Sequence, residues 1–350
     1  MRRSSVHALR RHRLCTRPQS SHPWLALLEV PRVVESLRAG RQDSDAAKVH
    51  IIPNEPGVRR HRGIGKLDAC VEFANLECGV PHTPSSAQKT FVKLPPRVPE
   101  LSTGMLRRAQ IISQKDAGQI IARLGIGGSD RVLEAGLGSG GLAMRITRCL
   151  GPDGLHVTVE PRAEHAEVGL ANLQRAQACW SGCPTHRHVE GMLEEALEEI
   201  ASHAPTFDAV VLDLPNHVPA IRAAAPLLAV GGRIACYCPV TSQLEASWDA
   251  CEHAGLDVEW AGELMERRWG RAKKGKGGLR PVNGPFGHTA FLLIAQRTKR
   301  ETCASPDART QDFVGDDVVD DPHEGAPGAG GARAGLLGRL GELLWPSRTT

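Results

Sequence analysis

A glycine-dense turn is the part of this sequence best suited to holding a small ligand. The stretch VLEAGLGSGGLA, residues 132–143, joins an apolar run to the start of a helix. Its turn consists of Gly136, Gly138, Ser139, Gly140 and Gly141. Glycines let the backbone approach a ligand closely and adopt positive φ where needed. Such a turn at the carboxyl end of the first strand of an open α/β sheet is typical of a nucleotide-cofactor site.

Two carboxylates near this turn narrow the choice of cofactor. Glu160 ends the next apolar run, LHVTVE, where an acid can accept hydrogen bonds from the ribose hydroxyls of NAD or of S-adenosylmethionine (SAM). Glu134 lies just before the turn, where it would hydrogen-bond to or neutralise the ammonium group of SAM but repel a pyrophosphate. The segment therefore predicts SAM binding rather than NAD binding.

A basic run in the last third of the sequence is suited to binding a polyanion. RRWGRAKKGKGGLRP, residues 267–281, places Trp269 among seven cations without an intervening acid: Arg267, Arg268, Arg271, Lys273, Lys274, Lys276 and Arg280. Cations of this kind contact phosphates, and an indole can stack on an unpaired base. A solvated charged face is the alternative, but the glycines indicate an extended loop, which favours RNA contact.

The elements that would position these residues alternate between helices and short apolar strands from Met105 to about Arg297. This alternation is typical of an α/β fold with a parallel sheet. Strands are predicted at residues 131–135, 155–160, 209–213, 233–238 and 290–295. The last of these follows the basic run without a helix, so it is expected to return to the sheet as a hairpin strand.

Composition divides the chain into four segments. Residues 1–45 are expected to be a basic transit peptide or a disordered arm that contacts RNA, because the first 28 residues contain six arginines and no carboxylate. Residues 46–100 are expected to form a small β-rich module, with strand-like runs at 71–73 and 90–94. Residues 101–298 form the predicted SAM-dependent domain. Residues 299–350 read as a disordered acidic tail with a short amphipathic helix.

The overall composition excludes some classes of protein. Of the 350 residues, 41% are hydrophobic and 23% charged, with a formal net charge of +4. No apolar run approaches the roughly 20 residues that span a bilayer, so no membrane segment is predicted. The ten cysteines form no CxxC pair. Reduced thiols are therefore expected, and no metal site.

Four segments together resemble one enzyme family. MLRRAQII (105–112), LEAGLGSGG (133–141), LDLP (212–215) and GHTAFLL (287–293) are similar to the tRNA N1-methyladenosine-58 methyltransferases, and the first two are most similar to the mitochondrial branch. The resemblance implies a Rossmann-like class I SAM-dependent methyltransferase fold, SAM as cofactor and tRNA as substrate. It also implies a homo-oligomer, often a tetramer, and a mitochondrial location, with plastid and nucleus as alternatives.

The resemblance also implies roles for individual residues. Asp213 corresponds to the family's catalytic carboxylate, which would orient the adenine and stabilise its positive charge; a capping carboxylate is the alternative. The implied cofactor contacts are Gly136, Gly138, Ser139, Gly140, Gly141, Leu142, Glu160, His165, Glu194 and Asp213. Glu190 competes with Glu194 for the position beside the adenine of SAM. The sequence LPNHV after Asp213 lacks the tryptophan that many members carry nearby.

Two other functions remain open from the sequence. A SAM-dependent enzyme acting on a protein or small molecule would carry the same glycine turn, with the basic run as a solvated surface. A non-catalytic RNA-binding subunit is the other alternative, but such a subunit would lose the glycine turn and the catalytic acid, and both are intact here.

Overall fold

The computed structural model describes residues 23–30, 48–271, 278–282 and 287–298. The first of these residues form a module built on a four-stranded antiparallel sheet. The strands of this N-terminal module are β1 (Trp24–Val30), β2 (Val49–Pro53), β3 (Arg59–His61), β4 (Gly65–Leu67), β5 (Pro81–His82) and β6 (Thr90–Leu94). The sheet has the order β2–β1–β6–β5, and β3 pairs with β4 as a separate hairpin. Its core is a cluster of buried apolar side chains around Leu27, Phe73 and Phe91.

The module differs from the expectation in two respects. Strand β1 lies within the segment expected to be a basic arm, because Leu25, Ala26 and Leu27 are buried and the strand pairs with both β2 and β6. Residues 71–73, expected to be strand-like, lie in a short π-helical turn, Cys70–Ala74, which buries only Phe73. The run at residues 90–94 is β6, as predicted.

A seven-stranded, mostly parallel sheet forms the centre of the second, larger domain, which follows the module. Its strands are β7 (Arg131–Ala135), β8 (Leu155–Val159), β9 (Thr185–Val189), β10 (Phe207–Leu212), β11 (Leu228–Cys238), β12 (Leu256–Gly262) and β15 (Phe291–Arg297). They follow the order β12–β15–β11–β10–β7–β8–β9, in which β15 runs antiparallel to both neighbours. A two-stranded hairpin, β13 (Trp269–Arg271) and β14 (Leu279–Pro281), precedes β15.

Seven helices connect these strands in the described part of the chain. They are α1 (Val98–Thr103), α2 (Gln114–Leu124), α3 (Gly141–Cys149), α4 (Ala163–Cys179), α5 (Leu197–His203), α6 (Val218–Ala224) and α7 (Thr241–His253). Separate apolar clusters on the two faces of the sheet bury these helices. A smaller cluster, which includes Leu101, Met144 and Leu173, packs α1 against α3 and α4.

The five strands expected from the sequence are all present, the last as the expected hairpin strand between β11 and β12. Strands β9 and β12 were not anticipated. No helix in the described residues is long and apolar enough to cross a membrane. The expectations for residues 1–22 and 31–45 of the arm and for the tail 299–350 lie outside the described residues.

Candidate active site

The glycine turn lies between β7 and α3, and its shape depends on the absence of side chains. Gly136, Gly138 and Gly140 all have positive φ, with values of 95°, 53° and 75°. A Cβ atom on Gly136 would collide with the carbonyl oxygen of Asp213, and one on Gly140 would lie 2.8 Å from the carbonyl oxygen of Gly169. The turn therefore requires glycine for close packing as well as for conformation.

The segment MLRRAQII, residues 105–112, is hydrogen-bonded directly to this turn. The Ser139 hydroxyl accepts hydrogen bonds from the backbone amides of Arg108 and Ala109, each at 3.0 Å, and donates to the Ala109 carbonyl at 2.9 Å. Ser139 is buried, so these bonds are shielded from water. The sequence predicted Ser139 only as a ligand contact, whereas the structure also makes it the anchor of residues 105–112.

Asn172, on α4, completes the same connection. Its side-chain oxygen accepts from the Leu106 amide at 3.0 Å. Its side-chain nitrogen donates to the carbonyl oxygens of Leu106 and Ser139, at 2.8 and 2.9 Å. One buried amide thus ties three parts of the chain together, and nothing in the local sequence around Asn172 signalled this role.

Glu160 follows β8 directly, with its carboxylate at the glycine turn. Its Oε2 accepts from the Gly138 amide at 2.9 Å, and its Oε1 accepts from the Arg162 Nε at 2.8 Å. Burial acts to raise the pKa of Glu160, but the hydrogen bonds from Arg162 and Gly138 outweigh it and hold the pKa below its usual range. Glu160 is therefore ionised at neutral pH and can accept hydrogen bonds. Arg162, which the sequence analysis did not identify, is part of this site.

Glu134 lies in a different environment from the one expected. Its carboxylate is buried and hydrogen-bonded to the ring of His156, with 2.9 Å between Oε2 and Nε2. Burial raises the pKa of Glu134 to about 8 and lowers that of His156 to about 3, so both side chains favour their neutral forms. The sequence did not predict this pairing, and a neutral Glu134 can act on an ammonium group only by hydrogen bonding, not by neutralising its charge.

The other implied cofactor contacts lie along the same edge of the sheet. Gly141 begins α3, and the Leu142 side chain is buried in the core, so Leu142 offers only its backbone to a ligand. His165 lies in the first turn of α4, and its Nδ1 is buried without a hydrogen-bond partner. Glu194, after β9, is half-buried, whereas Glu190 is exposed.

Asp213 follows β10, and its backbone amide donates to the Ala135 carbonyl at 2.9 Å. Since β10, β7 and β8 are neighbours, Asp213, the glycine turn and Glu160 follow three adjacent strand ends. Burial raises the pKa of Asp213 to about 7, the negative charge of Glu160 acts in the same direction, and the positive charge of Arg162 opposes them.

Tyr237 lies on β11 beside Asp213, because Leu212 pairs with Cys236 in the register of β10 and β11. Burial raises the pKa of the Tyr237 phenol to about 12, and the negative charges of Asp116 and Asp213 act in the same direction. The phenol therefore stays protonated and can donate a hydrogen bond at this edge of the sheet. It is the single tyrosine of the chain.

A polar cluster adjoins Tyr237 through a hydrogen bond between its phenol and Thr289. Thr289, of the GHTAFLL segment, donates to Asp116 Oδ2 at 2.7 Å, and Lys115 Nζ donates to Asp116 Oδ1 at 2.6 Å and to Thr289 Oγ1 at 2.7 Å. The neighbouring His288 donates to both Glu263 and the Pro239 carbonyl, at 2.7 and 2.9 Å, and the Glu263 hydrogen bond raises its pKa. The GHTAFLL motif thus connects β15 to α2 and to the loop after β11.

The basic run forms part of the β13–β14 hairpin. Arg267 and Arg268 are exposed, Arg268 pairs with Glu266 at 3.2 Å, and the Trp269 side chain is 61% exposed. Arg271 ends β13. Lys273, Lys274 and Lys276 lie outside the described residues. The described end of the run is thus a surface with an exposed indole between cations.

Among the described residues, no group of three or more His, Cys, Asp and Glu side chains is arranged to hold a metal ion. The eight cysteines in these ranges are free thiols.

Comparison with known proteins agrees with this geometry. Residues 90–269 match the family described as the tRNA methyltransferase complex GCD14 subunit, which is just over half of the chain. The chain belongs to this tRNA methyltransferase family. Within this methyltransferase, the match begins at β6 and ends in β13, so it includes the glycine turn, Glu160 and Asp213.

Relatives with assigned activities extend over most of the methyltransferase. The tRNA (adenine(58)-N(1))-methyltransferase TrmI of Thermus thermophilus is 32% identical over 256 residues, 71% of this chain and 92% of that protein. The tRNA (adenine(57)-N(1)/adenine(58)-N(1))-methyltransferase TrmI of Methanocaldococcus jannaschii is 28% identical, covering 65% of this chain and 85% of that protein. The tRNA (adenine(58)-N(1))-methyltransferase catalytic subunit trm61 of Schizosaccharomyces pombe is 29% identical. The match covers 54% of this chain and 52% of that protein.

Solved structures support the fold assignment. The tRNA (m1A58) methyltransferase TrmI of Aquifex aeolicus superposes with a TM-score of 0.55 and 18% identity, covering 79% of this chain and 97% of that one. A SAM-dependent O-methyltransferase of Thermotoga maritima superposes with a TM-score of 0.60 and 22% identity. The match covers 80% of this chain and 95% of that one. The methyltransferase therefore has the class I SAM-dependent fold that the sequence predicted.

The residues at the edge of the sheet fit SAM. Glu160 supplies an ionised acceptor at the position of a ribose acid, beside the glycine turn. The unpartnered Nδ1 of His165 supplies a further polar atom on the adjoining helix. Because a buried polar atom without a partner is costly, the Nδ1 of His165 is better explained by a bound ligand than by a turn that has lost one.

Proposed function

We propose that this protein transfers a methyl group from SAM to N1 of adenine 58 in the T-loop of tRNA. The observation that carries the proposal is the adjacency of a complete cofactor turn, Glu160 and Asp213 at three neighbouring strand ends. The relatives named for this reaction extend over the same residues. A non-catalytic subunit would not be expected to keep both the cofactor turn and the acid.

Methyl transfer to adenine N1 does not require a general base. When bound, SAM supplies an electrophilic methyl group on a positively charged sulfonium. Adenine N1 has a free lone pair, so the enzyme has to hold it in line and at near-attack distance rather than deprotonate it. Asp213 is the group suited to accept from the exocyclic N6 amine, and its negative charge would stabilise the positive charge left on the methylated ring.

Tyr237 and Arg162 complete the proposed arrangement. The protonated phenol of Tyr237, beside Asp213, can donate to the base or to the carboxylate. The positive charge of Arg162 lowers the pKa of Asp213 and so favours its ionised form. Glu160 would hold the ribose diol, and the turn residues and His165 would line the rest of the cofactor.

The basic hairpin is proposed to hold RNA. Trp269 and the cations of residues 267–276 would contact phosphates and stack on unpaired bases near the T-loop. Phosphate contacts position a nucleic acid without reading its sequence, so the choice of adenine would rest with the Asp213 edge.

The sequence alone supports the proposals for the branch of the family, the cellular location and the oligomeric state. We place the protein with the mitochondrial branch of the family on the wording of residues 105–112 and 133–141, and we propose a mitochondrial location on the arginine-rich composition of residues 1–28. Imaging of the full chain and of a form without residues 1–22 would test the location against plastid and nucleus. A homo-oligomer is proposed from the resemblance, and light scattering of the purified protein would test it.

Nucleoside mass spectrometry tests the central proposal. An unmodified tRNA transcript incubated with the protein and SAM should gain 1-methyladenosine, and a transcript carrying guanosine at position 58 should not. The Asp213→Ala variant is the matched control for contaminating activity. Methylation of a protein or small molecule in place of either transcript would reject the proposal.

A further inference from the structure

A large cleft lies at the opposite end of the catalytic domain from the Asp213 edge. It has a volume of about 1480 Å³ and lies between the N-terminal module and the ends of α3 and α4. From the module, Trp24, Lys93 and Arg97 line it, and from the catalytic domain, Arg148 and Trp180 do so. None of its described lining residues is acidic.

The distance of this cleft from the active site follows from helix geometry. Helix α4 begins three residues after Glu160 and ends one residue before Trp180, so it connects the two ends of the domain. Its 17 residues span about 25 Å at 1.5 Å per residue. Arg148 likewise lies in the last turn of α3, whose first residue, Gly141, belongs to the cofactor turn.

The side chains of the cleft combine cations with aromatic rings. The Arg148 guanidinium lies 5.5 Å from the centre of the Trp180 ring, and the Trp180 indole donates to the Pro96 carbonyl at 2.8 Å. Arg175 lies 4.7 Å from the centre of the Trp24 ring, at the edge of the module. Indoles held in place beside guanidinium groups provide stacking surfaces and phosphate contacts together.

We propose that this cleft binds the body of the tRNA outside the T-arm, as a second anchor at the far end of α4 from the active site. The inference rests on the proposed function, because it assigns the cleft to the same substrate. A polyanion fits a cleft that exposes Arg97 and Arg148 and has no carboxylate among its described lining residues. Residues 1–22 are not complementary to it, because they contain six arginines and no acid.

Equilibrium binding tests the proposal separately from catalysis. Fluorescence anisotropy would compare a full-length tRNA transcript with an isolated T-arm hairpin, for wild type and for the double variant Arg97→Ala, Arg148→Ala. We expect the variant to bind full-length tRNA about tenfold more weakly, with a salt slope lower by one to two units, and the hairpin unchanged. The double variant Arg60→Ala, Arg222→Ala removes two exposed arginines that do not line the cleft and should bind both RNAs like wild type.

Three results would overturn the proposal. Unchanged affinity for full-length tRNA would exclude the cleft as an anchor. An equal loss for both RNAs would place the contact at the T-arm. Tighter binding of tRNA by the variant would indicate that the acidic segment after Asp307 occupies the cleft and competes with RNA. Failure of the proposed function is distinguishable, because it would appear as absent 1-methyladenosine whatever the binding result.

Discussion

At the scale of single residues, Asp213 carries the sharpest prediction. Replacing Asp213 with Ala should lower the methylation rate by roughly 100 to 1,000-fold, because an oriented acceptor for developing charge is lost. The affinity for SAM should stay within about a few fold of wild type, since Asp213 is proposed to act on the base. Single-turnover kinetics and calorimetry measure the two effects. Normal turnover by the variant would remove Asp213 from the mechanism.

The pH dependence of the same residue has a defined direction. The pKa of Asp213 is raised to about 7 by burial and by the negative charge of Glu160, so its carboxylate becomes fully ionised only above that pH. We therefore expect kcat/KM to rise as the pH increases through about 7. A pH–rate profile of wild type that is flat between pH 6 and about 8 would contradict this assignment.

Glu160 should affect binding instead of chemistry. In Glu160→Gln, the ribose diol would lose the charge on its acceptor, and hydrogen bonds to charged groups contribute roughly 1.5 to 3 kcal/mol each. We expect the Kd for SAM to rise by about 10- to 100-fold, measured by calorimetry. Glu198→Gln, an exposed change on α5, is the matched control and should bind SAM normally. Equal affinities in the two variants would refute the ribose assignment.

The sequence identified the residues that belong to local motifs and missed those that act at long range. Glu160 and the glycines follow strand ends directly, so their position was predictable from the pattern of apolar runs. Asn172 contacts Leu106, which is 66 positions away, and no local pattern encodes such a contact. The pairing of Glu134 with His156, 22 positions away, was missed for the same reason.

At the scale of elements, the connection between residues 105–112 and α4 can be tested through Asn172. Asn172→Ala would leave the Leu106 amide and the carbonyls of Leu106 and Ser139 without partners. A buried unsatisfied group costs about 1 to 3 kcal/mol, so the free energy of unfolding should fall by at least that amount in urea titrations. Asn172→Asp should be no better, because it keeps an acceptor but loses both donors. Asn75→Ala, an exposed change, should leave stability unaltered.

The basic hairpin makes a separate prediction about RNA. Replacing Lys273, Lys274 and Lys276 with Ala should raise the KM for tRNA and lower the log–log salt slope of binding by about two to three units, since each phosphate contact releases counterions. SAM affinity and the choice of adenine should not change. The control replaces Lys48, Lys66 and Lys89, three exposed lysines of the module. An unaltered salt slope in the hairpin variant would make the run a solvated surface.

Two strands of the seven-stranded sheet, β9 and β12, could not be predicted from the sequence for physical reasons. β9 has the sequence THRHV, which lacks an apolar run because it is an edge strand whose histidines bond to Thr158 on β8, at 2.9 and 3.0 Å. β12 is the opposite edge of the sheet and alternates with polar residues. The central strands are buried on both faces and so were predictable from their continuous apolar sequence.

At the scale of the whole molecule, the raised pKa of Asp213 should reduce the free energy of unfolding at pH values above about 7. The unfolded chain loses this proton above pH about 3.9, whereas the folded chain holds it up to pH about 7. Between these values the unfolded state binds fewer protons, so the free energy of unfolding falls as the pH rises and the loss is complete above about 7.

Asp213→Asn should therefore melt at a higher temperature than wild type at pH 8, with the difference shrinking towards pH 4. Calorimetric melting temperatures across this range measure the effect. Asp208→Asn is the control, because Asp208 pairs with Arg131 at 3.2 Å and its loss should not stabilise the fold. A melting temperature of Asp213→Asn at or below that of wild type at pH 8 would contradict the prediction.

The position of Tyr237 makes the active site directly observable by spectroscopy. Because the chain contains one tyrosine, any phenol signal in ultraviolet difference spectra or from an isotopically labelled tyrosine in NMR comes from the neighbour of Asp213. No background from other phenols has to be subtracted, and no probe has to be introduced by mutagenesis. A titration with tRNA or SAM therefore reports, from a native chromophore, any change in the environment of the sheet edge at Asp213.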